Sequence, residues 1–466
     1  MGFSVKTGLT GALANQRPDG KGEATGGPIW GETGTKRYIS GICPLMVPAA
    51  SLSRERFALL FMVMLVAASG NTAMQSLMPT IGRELGVADL WVAIAFSLSA
   101  VAWVVAAPHW ARRADHRGRR ALMRLGLYGF VASMLICGSI LALGFYGLIS
   151  GTLVFVVFIF GRAVYGIWGS ASPPAVQAYI AARTEGEQRT AYLAALASSF
   201  GLGTIIGPAI APLFIFRPLG LSGPLVFFAM IGVAVLVLVA LRLPDDTPRS
   251  AARGEVVDYP SMGGFFAGGP ERGGDEGPER LRWRDPRVLP WHIIGVVGGH
   301  GHAALLGVIG FLVIDRSGNA PALSQQSIAI VLMSGAGATL LAQWGLIPFM
   351  ALGPRMLVVW GLAIAAAGTL LTGLAASMHG ITLGFAVASV GFGLFRPGFT
   401  SGASLAVRPD EQNAVAGMVT SVNGVAYIAA PALGVLLYGR WMPLPFVAVA
   451  AGMAGLAAWV WVRVRA

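Results

Sequence analysis

Residues 111–120 read Ala-Arg-Arg-Ala-Asp-His-Arg-Gly-Arg-Arg, five arginines and one acid wedged between two long apolar runs. A turn this basic cannot sit in hydrocarbon, whereas the runs on either side are long enough to cross it. Clustered arginines in a short loop mark the cytoplasmic face by the positive-inside rule. The turn therefore predicts both a membrane-spanning fold and its orientation.

The rest of the chain repeats this alternation. Apolar runs centre near residues 68, 99, 134, 163, 202, 233, 302, 338, 366, 394, 426 and 453, and about 20 apolar residues suffice for a crossing helix. Only 12% of the 466 residues are charged, about half the share usual in a soluble domain. These runs are apolar all round, as helices facing lipid and one another must be. The chain reads as an all-α, multi-pass membrane protein of twelve helices. Its formal charge of +12 is spread over loops and tails, so nucleic acid is not an expected partner; the lipid bilayer is. Cys43 and Cys137 give no disulfide framework and no metal site.

Two segments interrupt the pattern. Residues 1–53 are Gly-rich and polar and hold every lysine of the chain, Lys6, Lys21 and Lys36. That composition predicts a disordered cytoplasmic tail, or upstream sequence ahead of a start at Met46. Residues 244–287 carry Pro-Asp-Asp-Thr-Pro and Gly-Gly-Pro-Glu-Arg-Gly-Gly-Asp-Glu-Gly-Pro and read as a solvated linker. Six runs precede it, so the linker and both termini are expected on the side of the basic turn. The expected units are then 54–243 and 288–466.

The two halves echo each other. Gln188 is followed twenty positions later by Pro208, and Gln412 nineteen positions later by Pro431, with apolar sequence between. Paired membrane halves with an internal pattern point to a transporter whose site lies between the repeats. Gly203, Gly207 and Ala211 place small residues at i, i+4 and i+8. Such a face lets helices approach closely. Pro208 bends the same helix by removing a donor. The run reads either as tight packing or as a bent helix that shapes which side opens.

Three motifs carry a family resemblance. Asp115-His-Arg-Gly118-Arg119-Arg120 resembles the loop signature of the major facilitator superfamily. Phe160-Gly161-Arg162-Ala-Val-Tyr165-Gly166 resembles the arginine motif of its proton-coupled exporters, and Gly203 to Ala211 the motif of its drug:proton antiporters. Ala111 and Arg113 replace the glycine and leucine that usually open the first motif, and Ala211 the glycine that usually closes the third. The resemblance spans residues 54–466. It implies two pseudo-symmetric six-helix bundles, a cytoplasmic-membrane location and alternating access. It also implies gating by Asp115, Gly118, Arg119, Gly203, Gly207 and Pro208.

Arg162 and Arg396 fall near the middle of their runs, where a charge is costly and faces a cavity or a partner. No Asp or Glu lies at comparable depth; Glu84, Asp89 and Asp315 sit at run ends. Two central guanidinium groups without carboxylates favour a ligand carrying a carboxylate or phosphate. Asn71 and Gln75 share one helix face, as do Asn423 and Tyr427, and both pairs are expected to line the site; Gln343 is a lesser candidate. Buried amides also serve simply as interhelical bonds. His300 and His302 are the groups best suited to carry a proton, although positions two apart on a helix diverge by about 200°.

The resulting expectation is a monomeric, proton-driven exporter of a small organic anion, with no cofactor beyond the proton gradient. Uptake by proton symport is the alternative transport reading. A non-transporting sensor or a membrane enzyme is the alternative from another class; an enzyme would need a metal or nucleophile constellation that the sequence does not assemble.

Overall fold

The computed structural model describes residues 52–184, 186–244, 281–350, 352–408 and 411–464. Most of the expected tail and most of the expected linker lie outside these residues. So does Cys43.

Twelve long helices account for the described residues: α1 (Arg54–Glu84), α2 (Asp89–Arg117), α3 (Arg119–Phe145), α4 (Gly151–Ile180), α5 (Gly186–Ile210), α6 (Gly223–Arg242), α7 (Leu289–Ser317), α8 (Pro321–Met350), α9 (Pro354–Leu374), α10 (Met378–Leu405), α11 (Gln412–Arg440) and α12 (Leu444–Arg463). Each predicted run centre falls inside one of them. Helices satisfy every backbone donor within the segment, which hydrocarbon demands. Among the described residues the only β pairing is one isolated bridge, Phe216 with Gly220. Eleven helices among the described residues are long and apolar enough to cross a membrane. In α5 the apolar stretch is shorter, Ser198–Phe214, because its first turns carry Glu187, Gln188, Arg189 and Thr190.

Local sequence sets the helix ends. Ser53, Ser150 and Ser377 cap α1, α4 and α10, each hydroxyl accepting the backbone N–H three residues on. The basic turn is tighter than its sequence suggests. The helix α2 runs to Arg117 and α3 begins at Arg119, leaving Gly118 alone between them at φ +84°. That φ is open to glycine and strained for other residues. Arg120 Nη2 donates to the carbonyl of Ala240 near the end of α6, tying the turn to the neighbouring helix.

The halves repeat one packing pattern. Along α1 lies α5, as α11 lies along α7; α3 packs on α6 as α9 does on α12; α2 meets α4 as α8 meets α10. Between halves, α2 lies against α11, α5 against α8, and α1 against both α7 and α8. This is the two-bundle architecture that the sequence predicted.

Candidate functional site

A cavity of about 980 Å³ lies between the halves. Asn71, Gln75, Arg162, Arg396, Asn423 and Tyr427, chosen from sequence as ligand contacts, all stand on its wall, with His302, Gln343 and Pro208. No Asp or Glu stands among its described lining residues. The lining reaches Ile347 and Ser404, in the last turns of α8 and α10. The cavity therefore extends to the end of the helices that carries the basic turn.

Arg162 is the best-defined member. It is 2% exposed. Its Nη2 donates to Asn71 Oδ1 on α1 at 2.8 Å, and its guanidinium carbon lies 5.2 Å from the ring centres of both Phe96 and Tyr165. A desolvated cation over an aromatic face gains about 2 kcal/mol, so these rings offset part of the burial cost. Nε and Nη1 make no hydrogen bond. An amide and two rings neutralise no charge, so the site keeps an uncompensated cation with donors to spare.

The backbone around Arg162 is also distorted. Over Tyr165–Gly169 the helix widens into a π-type turn, a feature frequent at functional sites. Neighbouring helix α2 supports it: Ser99 Oγ donates to the Arg162 carbonyl at 3.0 Å and Trp110 Nε1 to the Ile167 carbonyl at 2.6 Å. A second widened turn, Leu341–Leu346 in α8, carries Gln343.

On the opposite wall, His302 stacks on Phe392 with ring centres 4.6 Å apart. Arg396, one turn further along α10, lines the cavity with His302 and Tyr427. Asn423, one turn before Tyr427, has an amide nitrogen that is buried without a partner. His300 is elsewhere: its Nδ1 lies 2.7 Å from the Val296 carbonyl of its own helix, and it is not on the wall.

The residues assigned to gating are dispersed. Gly203 and Gly207 face α1 within their own half. A Cβ on Gly207 would come within 2.3 Å of the Ser69 carbonyl oxygen, and Thr72 Oγ1 donates to the Gly203 carbonyl at 3.0 Å. Only glycine permits that approach, so these two positions pack tightly on α1, while Pro208 reaches the cavity. Gly118 and Arg119 form the basic turn. The side chain of Asp115 lies outside the described residues.

At the end opposite the basic turn, the halves are bonded directly. Arg83 of α1 makes two 2.6 Å hydrogen bonds to Asp89 of α2, and reaches Asp315 of α7 at 3.1 and 3.3 Å. Tyr438 Oη of α11 donates to Asp315 at 2.6 Å. Glu84 accepts the backbone N–H of Ala322 at 3.0 Å, and Thr80 donates to Gln325 Oε1 at 3.0 Å. Sequence reasoning noted these acids only as flanks and did not single out Arg83. The available signal was that the first helix of each half ends in adjacent opposite charges, Arg83-Glu84 and Asp315-Arg316.

Comparisons with known proteins agree with this geometry. Residues 59–349 match the family profile described as Major Facilitator Superfamily. No curated protein matches the sequence significantly. Among solved structures, the human organic anion transporter MFSD10 (TETRAN) shares the fold at TM-score 0.59 and 16% identity, over 88% of this chain and 100% of that one. A POT family transporter in complex with a thioalcohol-conjugated peptide gives TM-score 0.62 at 14% identity, covering 88% and 96%. A bacterial homolog of the human lysosomal transporter Spinster, inward-facing and occupied, gives 0.64 at 12%, covering 87% and 95%.

Proposed function

The chain belongs to the major facilitator superfamily and is a secondary transporter, and from that premise we propose that it moves a small organic anion by alternating access, exporting it against proton influx. The observation that carries the substrate reading is the cavity wall itself. Arg162 is buried with two nitrogens unspent, and no carboxylate is available on the described wall to match it. In a low-dielectric cavity an anion supplies the missing charge, and charge-assisted hydrogen bonds are about twice as strong as neutral ones. A lipophilic cation finds no counter-charge there.

Orientation follows from the basic turn. With Arg112 to Arg124 cytoplasmic, the cavity opens to the cytoplasm and the Arg83 cluster closes the outer side, the loading state for an exporter. The organic anion transporter among the similar folds is consistent with the substrate class. Resemblance of Arg162 and its neighbours to the exporter arginine motif supports the direction.

One observation favours uptake by proton symport instead. His302 stacks on Phe392, one turn before Arg396, and both line the cavity, so a proton on its imidazole adds positive charge beside the anion site. Proton and anion then strengthen each other's binding, and linkage makes that effect reciprocal. Flux into inside-out membrane vesicles separates the readings. Under an acid-inside gradient, export predicts accumulation of anionic compounds that collapses with the gradient. Symport predicts their gradient-driven loss from preloaded vesicles under the same polarity. Transport confined to cations, whatever the gradient, contradicts both.

A further inference from the structure

Helix α2 offers the cavity two large rings with small residues between them. Phe96 and Trp103 are seven positions apart, about two turns, and so share one helix face. Ser99 and Ala100 stand between them on that face, and all four line the cavity. Two small side chains between two large rings make a recess in the face. Its place is fixed by Ser99, whose Oγ donates to the Arg162 carbonyl at 3.0 Å. Tyr165, also on the lining, borders it, with its ring centre 5.3 Å from that of Trp103.

Arg162 and these rings divide a ligand between them. Nε and Nη1 make no hydrogen bond, and a carboxylate accepts from such a donor at about 2.8 Å. The ring centres of Phe96 and Tyr165 are 5.2 Å from the guanidinium carbon, so the body that a bound carboxylate carries starts among rings. Aromatic faces are electron-rich and repel the acid group itself. An aromatic body is favoured there, because offset or edge-to-face ring contacts raise affinity about twofold to tenfold beyond the area they bury.

We propose that the transported anion is an aromatic carboxylate, its acid group bonded to Arg162 and its ring seated between Phe96 and Trp103, over Ser99 and Ala100 and against Tyr165. This names the substrate class of the anion reading above and rests on it. All six residues belong to α2 and α4, so one half of the molecule holds the site.

Thermal stabilisation of the purified full-length protein tests it, since a ligand that binds the folded state raises its melting temperature. The probes are naphthalene-2-carboxylate, its methyl ester, and decahydronaphthalene-2-carboxylate, which keeps the acid and the carbon skeleton but loses the aromatic faces. The aromatic acid should bind at least about threefold more tightly than the saturated acid, and at least about tenfold more tightly than the ester. Ala100→Leu fills the recess and should weaken binding of the aromatic acid at least about tenfold. If that variant fails to fold, the wild-type probe series decides alone. Equal affinities for the two acids, or an aromatic acid unaffected by Ala100→Leu, overturn the aromatic site and leave the anion reading intact. An ester that binds as tightly as its acid overturns both. No response to any probe overturns the aromatic class and leaves the anion reading to the vesicle flux.

Discussion

Arg83 and Arg162 are both partly or wholly withdrawn from water, and their surroundings are opposite. Arg83 is met by two carboxylates, Asp89 and Asp315, with four hydrogen bonds and a tyrosine donating to the second acid. Arg162 is met by one amide and two aromatic faces, with two nitrogens unspent. The first arrangement completes its charge within the protein and joins the halves. The second, on the proposed reading, leaves its charge for a ligand. The proposed function thus divides the arginines of one chain between closing and binding by whether a carboxylate stands opposite.

The comparison breaks if the deep site is given its own acid. Asn71→Asp places a carboxylate at the position now 2.8 Å from Arg162 Nη2, turning a binding arginine into a paired one. Affinity for the transported anion should fall about 100-fold, the equivalent of about 2–3 kcal/mol of charge-assisted bonding. The melting temperature should hold or rise. Titration calorimetry of purified protein checks the affinity and scanning calorimetry the melting temperature, and undiminished anion binding by the variant would refute the division.

The converse change weakens the closing arginine. Asp315→Asn leaves Arg83 with Asp89 alone. Arg83 keeps 32% of its side chain exposed, so solvent screening limits the loss to about 1 kcal/mol, about a fivefold shift toward opening at this end. Tyr438→Phe removes one hydrogen bond from the same acid and should shift the population by about twofold. Spin-label distances between positions 88 and 319 report both. A distribution identical to wild type in Asp315→Asn would show that the cluster does not hold the halves together.

A third arginine, outside the spans, sharpens the comparison through pH. Arg287 grips both carboxylate oxygens of Glu411 at 2.9 Å and also binds Asp285. Arg287, and then the Arg408 backbone N–H, hold the Glu411 carboxyl down at about 2. A depressed carboxylate contributes stability that is fully present above its unfolded value, about 4.5, and is lost as pH falls toward 2. The melting-temperature gap between wild type and Glu411→Gln should therefore stay constant from pH 7 to about 4.5 and narrow below it. A gap that does not change with pH would contradict a paired Glu411.

The parts legible in the sequence were those that depend on local composition. Helices α1 to α12 follow from apolar runs and caps, and the position of Arg162, Asn71, Gln75 and Arg396 in mid-run was enough to put them around one cavity. What the sequence hid depends on tertiary partners. The widened turn after Arg162 is supported by Ser99 and Trp110, more than fifty residues away. Phe96, which covers the guanidinium, reads in isolation as one more apolar residue of α2. The Arg83 cluster joins four helices, and no local pattern reveals which acids it meets. His300 and His302 carried equal weight in sequence and separate in the fold, because the helical twist turns them to different faces.

The central claim is that Arg162 is held without a counter-charge in order to meet an anion. Its most direct test is the affinity of purified wild type, Arg162→Gln and Arg162→Lys for the transported compound, beside a cationic analogue of matched size. The account predicts that glutamine weakens anion binding by about 100-fold while lysine, which keeps the charge and loses the planar fork, restores part of it. The cation should bind no worse, or better, once the positive charge is gone. An Arg162→Gln protein that folds and binds the anion with native affinity would contradict the account, because the unspent guanidinium would then be structural and the anion held elsewhere.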